Sequence, residues 1–115
     1  MDERLERALE FGNYRTTLSN QKKNVIARMK TLQIVHHQGG SFVSSPINIG
    51  FIHALIAAGK KSSIVLDSKD NPIEISDLSE FLTMLIESYT EGTNEYKVQM
   101  DKLKKSRNIK KIMDW

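Results

Sequence analysis

Residues 78–103, LSEFLTMLIESYTEGTNEYKVQMDKL, put Leu82, Tyr89, Tyr96 and Leu103 at strict seven-residue intervals, with Leu78, Leu85 and Gly92 on the same stripe. A seven-residue repeat holds one narrow apolar seam along a long helix, the pattern of a helix that lies against another. Ser76 or Asp77 offers an oxygen to cap its start, and Asp77 with Glu80 has capping-box spacing. The pattern predicts a helical arm over residues 77–111.

The other end of the chain carries a matching arm. Asp2 and Glu3 suit a helix start, and Leu5, Ala8, Phe11, Tyr14, Leu18, Val25, Met29 and Leu32 recur at helical steps. The stripe lapses over the polar residues 19–24, and we read one continuous helix through them. Gly39-Gly40, able to adopt the left-handed conformation of a helix end, is expected to close an arm spanning 2–37.

Residues 38–76 between the arms form a short head. Residues 41–44 read as a strand around Phe42 and Val43. Ser45-Pro46 supplies a hydroxyl cap and a first helical residue that needs no amide. The helix predicted over 47–58 is apolar on every side, which implies burial, and Gly59 stops it. Ile64-Val65-Leu66 and Ile73-Glu74-Ile75 flank turn-forming residues 67–72, a hairpin with Pro72 at the start of its second strand. The fold class is α+β and mostly helical. Two long antiparallel terminal helices carry a head of one short helix and a two- or three-stranded antiparallel sheet, in a single domain over 1–115.

Charge selects the antiparallel orientation. Residues 15–30 hold five bases and no acid, and residues 77–95 hold five acids and no base. Residues 97–111 hold seven bases and one acid, and residues 1–10 four acids and two bases. Laid head to foot, each block is expected to meet one of opposite sign, a helical hairpin paired as in a coiled coil.

Composition excludes several classes. The 115 residues include no cysteine, so disulfide frameworks and thiolate chemistry are ruled out. The start MDERLERALEF is charged where a secretion signal needs an apolar run, and no apolar stretch is long enough to cross a bilayer. No membrane partner is expected. A formal charge of +3 allows a nucleic-acid partner without pointing to one.

Candidate sites are few. His36 and His37 are adjacent without a third ligand, so a polar helix end is the reading and no metal is expected. His53, on an apolar helix, is read as a packed core residue rather than a general base. The segment from Gly39 to Pro46 offers amides to an anion but matches no phosphate-binding fingerprint, so it is read as a turn. No nucleophile or acid–base pair appears, so neither catalytic residues nor cofactors are assigned and the protein is not expected to be an enzyme. The seam is thin, and Phe11, Tyr14, Tyr89 and Tyr96 are expected to seek cover from a partner. Ile112 and Trp115 form an apolar tip of the docking kind. These six are the candidate partner-binding residues. The alternative is nucleic-acid binding by Lys102, Lys104, Lys105, Arg107, Lys110 and Lys111 on the basic C-terminal helix.

The strings LERALEFGNYRTTLSNQKK, VLDSKDNPIEISDLSEFL and TNEYKVQMDKLKKSRNIKKIMDW together resemble small uncharacterised proteins of T-even-like tailed phages. The resemblance implies a phage accessory or virion protein, located in the host cytoplasm or the virion. Joined to the residue-level reading, it points to a non-enzymatic protein–protein interaction protein. Its expected role is as a structural component or assembly factor acting as a homo-oligomer or among virion proteins.

Overall fold

The computed structural model describes residues 2–113, with side chains described over 2–106. Its elements run α1 (Glu3–Leu32), β1 (Ile34–His37), β2 (Gly40–Val43), α2 (Pro46–Ala57), β3 (Ser63–Leu66), β4 (Pro72–Ile75) and α3 (Leu78–Met113). Two long helices thus bracket two separate antiparallel hairpins and one short helix.

Helix α1 is unbroken through residues 19–24 and starts from Asp2, whose carboxylate accepts from the Arg4 amide. It ends at Leu32, short of the expected 37. Residues 34–37 are a strand, and this corrects the reading of Gly39-Gly40 as a helix end. Gln38 and Gly39 both have positive φ, at 49° and 86°, and form the two-residue turn of a hairpin. Such a turn matches the natural twist of paired strands. Pairing sets Val35 opposite Phe42, both buried, a gain that outweighs one more helical turn. The Gln38 side-chain amide then locks the turn to the next segment, donating to the Ser76 hydroxyl and accepting from the Ser76 amide, each at 3.0 Å.

Helix α2 starts as its sequence dictates, with the Ser45 hydroxyl accepting from the Asn48 amide at 3.2 Å. It stops at Gly59, whose φ of 89° allows two closing bonds, Gly59 N–H to Ile56 O and Lys60 N–H to Leu55 O. Asp77 caps α3 through the Glu80 amide at 3.1 Å.

The core lies in the head and the first turns of α3, not between the arms. Val35, Phe42, Ile52, Val65, Ile75, Leu78, Phe81 and Leu85 are buried, and Phe42 meets Phe81 edge-on with centroids 4.8 Å apart. Helix α1 contributes no buried residue. A joint of hydrogen bonds ties its end to the head instead. Ser88 donates to the Leu32 carbonyl at 2.7 Å, and Ser44, through hydroxyl and amide, to the Gln33 carbonyl at 2.9 and 2.8 Å. These are carbonyls a helix end leaves without a partner. Gly92 makes room at the joint: a Cβ there would sit 2.5 Å from Gln33 Cγ.

The two hairpins meet through Asp67, whose carboxylate accepts from the Ser41, Lys69 and Asn71 amides at 3.3, 2.9 and 2.9 Å. The Ser68 amide completes the clasp by donating to the Ser41 carbonyl.

Candidate interaction surfaces

Two surfaces stand out, one on the head and one on the arms. The head surface corrects the expectation that α2 is buried. One face of α2, with Ile49, Ile52, Leu55 and Ile56, packs on the core, but only Ile52 is fully enclosed. Two small hairpins and one helix have too little surface to cover the rest. Ile47 is 82% exposed and Phe51 52% exposed. Gly50, Ala54, Ala57 and His53 are exposed as well, so His53 is not the core residue it was expected to be.

Strand β3 adds to this face. Alternation buries Val65 and turns Ile64 and Leu66 outward at 67% and 60% exposure. Phe51 and Leu66 line one cleft that reaches down to Phe42, Ile52, Val65, Phe81 and Leu85. Asn48 stands on its wall and donates to the Val43 carbonyl at 2.8 Å. The twelve residues of α2 include no charge. The result is an exposed apolar cluster in which Phe51 and Leu66 share a cleft, while Ile64 lies beside its exposed cross-strand partner Glu74. A spacing signal for it existed: Ile47, Phe51, Ala54 and Ala58 follow a helix-docking stripe.

The arms show how the candidate residues fall. Tyr89 and Tyr96 are half-buried in the seam with Leu103 on the predicted heptad and buried Gly92 between them, while Leu82, earlier on that heptad, packs on the head core, and Tyr14 is half-buried on α1. The tyrosines are therefore not the exposed groups they were expected to be, because the seam itself takes them in. Phe11 is exposed at 58%, with the Arg15 guanidinium over its ring at 5.7 Å. Lys102, Lys104 and Lys105 are exposed. The side chains of Arg107, Lys110, Lys111 and Ile112 lie outside the described ones, and Trp115 lies outside the described residues.

The antiparallel arms are offset from the register that charge suggested. Arg28 pairs with Glu95 at 3.2 Å, while the Gln33 amide reaches the Tyr89 carbonyl. The acidic start of α3 therefore runs past the end of α1 into the head. The basic stretch of α1 lies instead beside the part of α3 that follows Glu95, itself basic. Arg28–Glu95 is the one ion pair between the arms among the described residues. Burial of Leu78, Phe81 and Leu85 in the head fixes this register, since each buried apolar side chain is worth about 1.5–3 kcal/mol. An exposed ion pair contributes under about 1 kcal/mol.

The remaining candidates are held by structure. His36 Nδ1 bonds the Ser41 hydroxyl at 3.0 Å, and His37 stacks on Phe81 with centroids 5.4 Å apart. Neighbours on a strand, they point to opposite sides. Among the described residues no group of three potential metal ligands is found, and no helix is long and apolar enough to cross a membrane. The segment from Gly39 to Pro46 uses its polar groups internally, with Ser44 buried and Ser45 capping α2.

The chain matches no family model, no curated protein and no solved structure.

Proposed function

We propose that this is a non-enzymatic protein–protein interaction protein, a structural component or assembly factor of a tailed phage. It works through the apolar face of its head, as an oligomer or within a larger complex. One observation carries the reading: α2 lacks charge yet leaves Ile47 and Phe51 mostly or half in water, with exposed Leu66 lining the same cleft as Phe51. An exposed apolar cluster of this kind on a small head, bounded by Glu74 opposite Ile64, marks a docking site. The phage setting rests on the sequence resemblance, and the non-enzymatic part on the lack of a nucleophile or acid–base arrangement in the sequence.

The test is mass in solution. With the head face intact, light scattering should give a multiple of 13.1 kDa or a stoichiometric complex with a virion protein. Ile47→Asp with Phe51→Asp, both at exposed positions, should reduce this to a single 13.1 kDa chain with unchanged circular dichroism. A wild-type protein that is a monodisperse monomer and yields no cross-linked partner would end the reading.

A further inference from the structure

The unexpected register gives the arms a second surface, independent of the head. Helix α1 carries no acid after Glu10. From Gly92 to Ser106, α3 holds two acids, Glu95 and Asp101, against four lysines. Both acids are already paired, Glu95 with Arg28 and Asp101 with Lys97 at 2.8 Å. The antiparallel offset lays these two basic stretches side by side, so a protein of net charge +3 concentrates a larger positive charge on its stalk.

Helical geometry, about 100° per residue, sorts these charges by side. Leu18, Val25 and Leu32 form one column of α1's contact face, whose half-buried residues also include Tyr14 on one side and Ile26 and Met29 on the other. Tyr14, Gln21 and Arg28 form the column on one side of that line, and Arg15, Lys22 and Met29 the column on the other. On α3 the centre is Leu85, Tyr89, Gly92, Tyr96, Gln99 and Leu103. Glu95 and Lys102 flank it on one side, Lys97 and Lys104 on the opposite one. The Arg28–Glu95 pair identifies which flanks adjoin. Arg15 and Lys22 of α1 therefore share the other flank with Lys97 and Lys104 of α3. Lys22 and Lys104 are exposed, and no acid but the paired Asp101 lies near them on either helix.

We propose that this flank, with Arg15, Lys22, Lys97 and Lys104, is a phosphate track that binds duplex DNA along the stalk without reading its sequence. Charge complementarity commits the occupant. Two like-charged helices held side by side repel, and a polyanion laid along them relieves that repulsion while releasing its own counterions. The duplex is favoured over a single strand for two reasons. It presents the denser line of phosphates, about one per 1.7 Å. Among the described residues the exposed ring beside this flank is that of Phe11, already under the Arg15 guanidinium, and Tyr96 is in the seam, so no row of free rings is offered for unpaired bases to stack on.

The test is fluorescence anisotropy with a labelled random-sequence duplex at 50 and 200 mM salt. Wild type should bind at the lower salt and lose affinity on the order of 100-fold at the higher, as about four phosphate contacts require. Lys22→Glu with Lys104→Glu should weaken binding at least about tenfold and lower the salt slope by about two. Lys22→Gln with Lys104→Gln should act in the same direction and serves if the glutamate pair perturbs folding. Lys60→Glu with Lys61→Glu, on the head, makes the same change in net charge and should leave the affinity near wild type. No binding at 50 mM salt overturns the proposal, as does equal weakening by the head pair. So does an unchanged salt slope in the folded flank variants, or tighter binding of single-stranded DNA or polyglutamate than of the duplex. Loss of the head's docking in the Ile47 and Phe51 variants should leave this binding intact, which separates the two readings.

Discussion

Asp67 shows how one side chain can organise a small head. Its carboxylate accepts backbone amides from both hairpins, and these bonds, that from Asn71 foremost, hold its pKa below the usual aspartate range. The ionised form is thus favoured in the folded protein, where the unfolded chain titrates near about 3.9. A depressed folded value makes its contribution complete above that pH and lost as pH falls through the folded value. Asp67→Asn should accordingly lower the melting temperature at pH 7, and the gap from wild type should narrow at pH 3. Thermal melts followed by circular dichroism at the two pH values measure this, and a gap of equal size at both would contradict it. Phe81 matters for a different reason. It touches both His37 and Phe42 at the centre of the core, and Phe81→Ala should cost about 3–5 kcal/mol in chemical denaturation.

Among the elements, two glycines in the long helices make a matched pair of opposite sign. Gly12 faces open space, so Gly12→Ala should stabilise α1 by about 0.5–1 kcal/mol. Gly92 has Gln33 against it, and Gln33 is buried with its amide committed to the Tyr89 carbonyl. Gly92→Ala should therefore destabilise by about 1 kcal/mol net, overpacking exceeding the gain in helix propensity. Urea midpoints for both variants check the contrast. The long elements and most caps were legible because their signals are local: the heptad from Leu82 to Leu103 repeats turn by turn, and Ser45-Pro46, Gly59 and Asp77 each act within a turn or two, whereas the end of α1 at Leu32 was not. The β1–β2 hairpin was not, because Ile34 to His37 continue a helical stripe and only the distant pairing with Phe42 decides against it. The exposure of α2 was equally hidden. Apolar residues all round imply burial only where other elements suffice to cover them, and that is a property of the whole head. Charge suggested the right orientation of the arms but the wrong register, since hydrophobic anchoring of α3 in the head outweighs surface pairing.

For the molecule as a whole, the Cα radius of gyration is 21.0 Å and the extents are 69 × 24 × 18 Å. A compact chain of this length would have a radius near about 13 Å. The protein is a rod with its core at one end. Stability should follow that asymmetry: hydrogen exchange should protect residues 78–92 and the hairpins most, and α1 progressively less toward Glu3. Mass spectrometry of exchanged peptides resolves the gradient, and uniform protection along α1 would contradict it.

The serine joint at Leu32 and Gln33 sets the angle at which α1 leaves the head. Thirty residues of helix span about 45 Å, so a tilt of about 10° at that pivot carries the far tip about 8 Å sideways. The angle fixed by two serine hydroxyls at one end therefore decides where the other end of the rod stands.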